Sequence, residues 1–264
     1  MENKRKKFWS KTSIMHAVKL VIRSAFFLTA LIVYIIDKAD GSFDFFSNEK
    51  LSTIVIFVFL GIYLIEMLLR FFPNSIESMG CQKIFKKNYI KPVNEKEPYD
   101  YPKLKGVILT LVLWLALNLT FGVLYWTHLI DEGVLILISL LYGICDMVCI
   151  LFFCPFQTWF MKNKCCNTCR IYNWDFGMMF TPLLFIPHWA TLTLGSVGIA
   201  LAITWEITFL CHKERFYEVS NDSLKCANCK EKLCYHKTQL SKLAKHLREE
   251  LEKAKAKNDK KKSD

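Results

Sequence analysis

The stretch GVLILISLLYGICDMVCILFF occupies residues 133–153 and decides the class of fold. It carries a single charge, Asp146, and it is long enough to cross a bilayer core, which needs about 20 helical residues. Further long apolar runs lie at 18–36, 51–72 and 106–130. With 53% hydrophobic residues and a mean hydropathy of +0.22, the chain is predicted to be a polytopic membrane protein.

The apolar stretch 176–211 is too long for one ordinary crossing and short for two. Pro182 and Pro187 predict a kink in its first half, and the segment 194–196 offers a turn because it contains a glycine. One long bent helix and a re-entrant pair are the alternatives. We predict two short crossings, at 174–194 and 196–211.

Charge asymmetry gives the direction of the crossings, because cytoplasmic loops carry the excess of Lys and Arg. The 73–105 loop, the 154–175 loop and both termini are basic, whereas the 37–50 loop and the 131–132 turn are acidic. Two basic termini on one side require an even number of crossings. We therefore predict an all-α transmembrane bundle of about six crossings in the cell membrane, with both termini and a Cys-rich site in the cytoplasm. Its predicted parts are an N-terminal segment at 1–17, the bundle at 18–211, a Cys-rich segment at 212–236, and an amphipathic helix with a basic tail at 237–264.

This topology places all eleven cysteines at or below the cytoplasmic side of the membrane. Cytoplasmic thiols are normally kept reduced, so metal ligation or redox chemistry explains them better than a disulfide framework. Two C-x2-C pairs have the spacing of zinc and iron–sulfur ligands. They predict one four-thiolate site that joins the 154–175 loop to the tail: Cys166, Cys169, Cys226 and Cys229. Further cofactor ligands are predicted at Cys154, Cys165, Cys211 and Cys234, and either zinc or an iron–sulfur cluster satisfies these positions.

Charged residues inside the predicted crossings form a second candidate site. An intramembrane charge costs a few kcal/mol, so it usually has a partner or a function. Glu66 and Arg70 are four residues apart on one helix and are predicted to pair. Arg23 is expected to neutralise Asp146 or Glu206. The alternative is that these ion pairs only fix the packing of the helices.

Three stretches together resemble a family of uncharacterised polytopic bacterial membrane proteins. They are CPFQTWF at 154–160, CCNTCRIYNWD at 165–175 and ERFYEVSNDSLKCANCKEKLC at 214–234. The similarity covers roughly residues 145–236. It implies that the two cysteine runs belong to one recurring unit, and it implies no activity.

Three functions remain open. The first is iron–sulfur electron transfer to a redox partner at the cytoplasmic face, favoured by the number of cysteines. The second is a small transporter or channel with a structural zinc clasp, favoured by Asp146 and Glu206; Asp146 adjoins Cys145, which suggests a proton or cation path ending at the cysteine site. The third is a scaffold whose tail recruits a partner or forms a homo-oligomer.

Composition and motifs restrict the activities and binding partners that the sequence predicts. No hydrolase, metalloprotease, P-loop or dinucleotide-binding motif occurs in the sequence. The net charge of +11 lies mostly in the predicted cytoplasmic loops, so the lipid bilayer explains it. No nucleic-acid-binding motif accompanies it, which argues against a nucleic-acid partner.

Overall fold

The computed structural model describes residues 10–39, 51–93, 104–163, 165–229, 231 and 234. Within these ranges the fold is all-helical and contains no β-strand. The predicted C-terminal helix after residue 237 lies outside them. Seven α-helices follow one another: α1 (Lys11–Ala39), α2 (Leu51–Arg70), α3 (Met79–Gln82), α4 (Lys105–Trp126), α5 (Glu132–Leu151), α6 (Asp175–Phe180) and α7 (Trp189–Cys211).

Four of these helices are long and apolar enough to cross a membrane, counted over the described residues: Lys11–Ile36, Lys105–Trp126, Glu132–Leu151 and Trp189–Cys211. Their outward faces are apolar, as lipid contact requires. Val21 of α1 is 68% exposed and Leu119 of α4 is 57% exposed. By length and composition, these four helices are therefore candidate membrane-spanning segments. The predicted run at 51–72 forms the 20-residue helix α2, which ends at Arg70.

The α4–α5 connection is a tight turn with a defined stop and start. His128 adopts a positive φ of 59°, which ends the run of helix after Trp126. Asp131 then caps α5, because its Oδ1 accepts the backbone N–H of Val134 at 3.1 Å. The acidic turn at 131–132, which the sequence analysis used to assign topology, therefore also starts α5.

The stretch 174–211 departs from its prediction. The expected turn at 194–196 is absent: α7 continues without a break from Trp189 to Cys211. The break lies earlier, where α6 gives way to a 3₁₀ helix at Thr181–Phe185 with Pro182 in its first turn. A non-helical link, in which Ile186 and His188 are extended, then leads into α7. The prolines were interpreted correctly and the glycine was not.

Close packing explains the glycines of α7. A Cβ atom on Gly198 would stand 3.0 Å from the carbonyl oxygen of Phe176, and one on Gly195 would overlap the side chain of Leu184. Gly177 of α6 faces Gly198 in turn. Small residues allow two helices to approach closely inside a membrane. These glycines therefore let α6 pack against α7 and do not turn the chain.

The broken segment 175–188 runs along α7 from one end of the bundle to the other. At its start, Trp174 donates to Glu206 at 2.6 Å. Near its finish, the ring of Phe185 packs edge-on against Trp126 with centroids 5.6 Å apart. We call the end that holds Glu206 the thiol end, because the cysteine-bearing loop lies there, and the end that holds Trp126 the opposite end.

The described residues form three apolar clusters, and the two larger ones hold the bundle and its loops together. One lies between α2, α5, α6 and α7 and contains Tyr63, Leu135 and Phe180. The other covers the thiol end of α7, where Trp205 and Phe216 are fully buried with loop residues such as Ile171. The second cluster makes the loops and the start of the tail a packed cap on the bundle.

Candidate thiol chamber and its ion network

A buried arginine connects three helices near the thiol end. Arg23 of α1 donates to Asp146 of α5 at 3.1 Å and to the carbonyl of Gly143 at 3.0 Å. Its second Nη donates to Glu66 of α2 at 3.1 Å. The Arg23 side chain is only 4% exposed, so its charge is compensated entirely by partners within the bundle.

Arg70 forms a second centre beside it. Its Nη1 donates to Asp175 at 2.6 Å and to the amide oxygen of Asn173 at 2.8 Å. Its Nε lies 3.6 Å from Glu77. Lys19 joins the two centres, because its Nζ lies 3.2 Å from both Glu66 and Glu77.

The predicted pairing of Arg23 with Asp146 is confirmed, whereas the predicted pairing of Glu66 with Arg70 is wrong. Glu66 and Arg70 turn to partners on other helices, where they crosslink the bundle. Arg23 does neutralise Asp146, but Glu206 is taken by Arg170, whose guanidinium donates to both carboxylate oxygens. The ring of Phe209 stacks under the same guanidinium at 3.4 Å.

Glu77 lies outside the crossings, between α2 and α3, and its pKa is lowered. Burial alone would raise the pKa, but the charges of Arg70 and Lys19 outweigh burial. The carboxylate of Glu77 is therefore held in its charged form.

A fully buried lysine fixes the cysteine loop. Lys83 follows α3, and its ammonium donates to the carbonyls of Asn167 at 2.9 Å and Cys169 at 2.8 Å. The faces of Trp205 and Phe216 lie 5.1 and 5.3 Å from the same nitrogen. Burial lowers the pKa of Lys83 to about 7. The 166–169 turn is thus bound to the bundle through its backbone.

A chamber of about 120 Å³ lies beside this loop and Asp146. Five cysteines and two methionines line it: Cys145, Cys149, Cys154, Cys166, Cys169, Met178 and Met179. Asp146 and Asp175 contribute carboxylates to the same wall. Trp114 Nε1 and Tyr142 Oη, also in the wall, have no hydrogen-bond partner among the described residues. Buried polar atoms of that kind normally face water or a ligand.

Several sulfur atoms of the chamber wall lie close to one another or accept hydrogen bonds. The thiols of Cys149 and Cys154 are near enough to interact. Cys154 Sγ accepts the backbone N–H of Gln157 at 3.3 Å, and Cys166 donates to the side-chain oxygen of Gln157 at 3.2 Å. One short π-helix, Phe156–Phe160, therefore places the C-terminal side of α5 against the 166–169 turn.

A second group of thiols lies where the tail meets the loop. Cys165 is close enough to Cys229 and Cys234 for their charges to act on it, although burial is the main reason that its pKa is raised to about 12. Cys226 and Cys229 belong to one turn, closed by the Cys229 N–H on the Cys226 carbonyl at 3.3 Å. The side chain of Glu231 accepts the backbone N–H of Met79, which anchors the tail.

The predicted set of four ligands is therefore divided between the two groups. Cys166 and Cys169 are buried beside the chamber, whereas Cys226 is exposed and Cys229 half-buried near Cys165. Across the described ranges, no group of three or more His, Cys, Asp or Glu side chains converges closely enough to hold a metal ion. Cys211 is exposed at the last position of α7 and lines neither group. None of the eleven cysteines, all of which the structure describes, is in a disulfide.

Several site residues escaped the sequence analysis. The sequence does carry a signal for three of them, since Arg170, Asn173 and Asp175 are charged or amide residues in the unusual run at 165–175. Lys83 sits in a basic loop, where it looked like one more cytoplasmic charge. Met178 and Met179 lie in the apolar stretch 176–211, where no sequence feature distinguishes them from lipid-facing residues.

The chain was compared with protein-family models, with curated proteins and with solved structures, and none of them matched. The geometry of the chamber and of the loop–tail group therefore carries the functional argument.

Proposed function

We propose that this chain is a small cation transporter or channel of the cell membrane, held closed at its cytoplasmic face by a zinc clasp between loop and tail. The supporting observation is that a broken helix lines a chamber next to a carboxylate paired with Arg23 inside the bundle. Asp175, Met178 and Met179 come from α6, which stops inside the bundle, and Asp146 faces them from α5. Discontinuous helices of this kind surround the binding sites of many transporters.

The broken segment completes the topology in this proposal. With α2 and 175–188 counted as crossings beside the four apolar helices, the chain crosses six times. Both termini then lie in the cytoplasm together with the thiol end, in accord with the basic loops. Irregular backbone at membrane depth is tolerated where it is buried in protein, and Pro182 and Leu183 of the 3₁₀ helix are buried.

The clasp uses different ligands from those first predicted. Its ligands in the proposal are Cys165 from the loop and Cys226, Cys229 and Cys234 from the tail. Four thiolates satisfy one tetrahedral zinc ion. Cys165 lies close enough to Cys229 and Cys234 for the three thiols to interact, and Glu231 anchors the tail through the backbone N–H of Met79.

Metal analysis of anaerobically purified full-length protein tests the clasp. We expect one zinc ion per chain and no visible colour. Cys165→Ser and Cys229→Ser should each lose the zinc, whereas the matched control Cys211→Ser should keep it. Zinc that survives both of the first two substitutions would refute this ligand set.

Iron–sulfur electron transfer is the second candidate, because the same four thiols suffice for one cluster. Iron, acid-labile sulfide and broad absorbance near roughly 400 nm in the same preparation would favour it over the transporter.

Transport itself is tested in reconstituted vesicles. A panel of zinc, manganese, copper(I) and silver(I) is offered, and uptake of at least one ion is expected. Asp146→Asn should reduce that uptake, because Asp146 lines the chamber, while Cys211→Ser should leave it unchanged. Absence of uptake for every ion of the panel would overturn the proposal.

A further inference from the structure

The chamber is unusual in the chemistry of its wall. Seven of its lining side chains carry sulfur: five cysteines and two methionines. Sulfur ligands are soft and select copper(I) and similar ions over magnesium, calcium or manganese, which prefer oxygen. The wall is therefore suited to a thiophilic cation.

The number of available ligands further restricts which ion the chamber can bind. Zinc takes four ligands in tetrahedral protein sites, yet no three ligating groups converge among the described residues. Two of the lining thiols, those of Cys149 and Cys154, lie close enough in the chamber wall to interact with each other. Two thiolates are enough for a monovalent d¹⁰ ion, which readily binds two sulfur atoms in a line.

Neighbouring residues supply support for such a site. The backbone N–H of Gln157 already donates to Cys154 Sγ at 3.3 Å, which favours a negatively charged sulfur. Cys166 is held beside the pair by its 3.2 Å hydrogen bond to Gln157, so a third thiol stands within the same hydrogen-bonded group. Trp114 and Tyr142, whose rings pack with centroids 4.5 Å apart, also line the chamber.

We propose that Cys149 and Cys154 form a binding site for a monovalent thiophilic cation, copper(I) or silver(I), inside the chamber. Binding replaces both thiol protons: two thiols and one M⁺ give an M(S)₂⁻ unit, and two protons leave to solvent. The ion keeps its oxidation state, so no oxidant or reductant takes part. The proposal that these two thiols bind a cation depends only on the chamber. The proposal that this cation is the cargo of a transporter rests on the function proposed above.

The test is a titration of purified full-length protein with copper(I), without oxygen, against a chromophoric copper(I) chelator. The double variant Cys149→Ser/Cys154→Ser should lose one tightly bound equivalent and keep its zinc. Cys165→Ser/Cys229→Ser should show the reverse, with zinc lost and that copper(I) equivalent kept. An unchanged copper(I) stoichiometry in the first double variant would overturn the inference.

A second measurement needs no variant and so does not depend on the folding of one. Wild-type protein is treated with N-ethylmaleimide with and without one equivalent of silver(I), and the alkylated peptides are quantified by mass spectrometry. Silver(I) should protect Cys149 and Cys154 and leave Cys211 as reactive as before. Equal alkylation of the pair in both samples would overturn the site. Binding without uptake in vesicles would contradict transport and leave the binding site standing.

Discussion

Arg23 shows how a single charged residue organises this bundle. Its guanidinium is shared between Glu66 and Asp146 on two other helices, at 3.1 Å in each case. Removing one partner from a buried ion pair leaves the other charge uncompensated, which costs about 3–5 kcal/mol. The stability effect of such an ion pair is therefore measured by removing one of its partners.

We predict that Arg23→Gln lowers the free energy of unfolding in detergent by about 3–5 kcal/mol. Glu66 keeps Lys19 as a partner, so the loss falls mainly on Asp146. The matched control is Lys38→Gln, which removes an exposed ion pair with Asp131 and should leave stability almost unchanged. Equal stabilities for the two variants would contradict a structural role for the Arg23 network.

Glu77 gives a pH dependence with a definite sign. Its pKa in the folded protein lies below the usual 4.5, so it stabilises the fold above that pH. The contribution is lost as pH falls through the lower, folded-state value. Melting temperatures measured from pH 6 down to pH 3 should drop more steeply for the wild type than for Glu77→Gln. Parallel curves would show that Glu77 is not held in its charged form.

At the scale of elements, the packing of α6 on α7 rests on small residues. A Cβ on Gly198 would press on the backbone of Phe176 at 3.0 Å, and a backbone atom cannot rotate away. Gly198→Ala should therefore cost about 1–3 kcal/mol of stability. Gly61→Ala in α2 is the control, since a Cβ there meets nothing within 4 Å. A neutral Gly198→Ala would mean that α6 does not pack so closely.

The same elements show how far the sequence alone can be taken. The long apolar runs at 18–36, 106–130 and 133–153 predicted three of the four helices that can cross a membrane, because the bilayer thickness sets the length of such a run. The fourth, Trp189–Cys211, was wrongly divided at residues 194–196. Pro182 predicted the break in 174–188, because proline acts locally. Gly195 was misinterpreted, since a glycine that allows close packing and one that turns the chain look alike until the partner helix is known.

The candidate site was less predictable than the helices, because its geometry also depends on partners that are distant in sequence. The spacing of Cys166 and Cys169 predicted a pair of metal ligands, but spacing does not say which side of their loop faces the bundle. The sulfur atoms face the chamber because Lys83 and the cluster around Trp205 fix the loop. Both of these contacts with the loop come from residues far away in sequence, so no local sequence pattern predicts them.

At the scale of the whole molecule, the proposed function depends on which side of the membrane the thiol end faces. Every cysteine lies at the thiol end or in the loops and tail beyond it, and the turn at 127–131 lies at the opposite end. If the thiol end faces the cytoplasm, the clasp and the chamber open to the reducing compartment, where thiolate metal chemistry is supported. A reversed orientation would place the same thiols among oxidants.

Labelling with a membrane-impermeant maleimide in intact cells tests this orientation most directly. Wild-type protein should remain unlabelled in intact cells and become labelled in inverted vesicles, where exposed Cys211 and Cys226 are accessible. The variant Leu129→Cys, in the α4–α5 turn where Leu129 is 73% exposed, should be labelled in intact cells and so shows that the reagent reaches the outer surface. Labelling of wild-type protein in intact cells would contradict the cytoplasmic thiol end, and with it the clasp and the chamber as proposed.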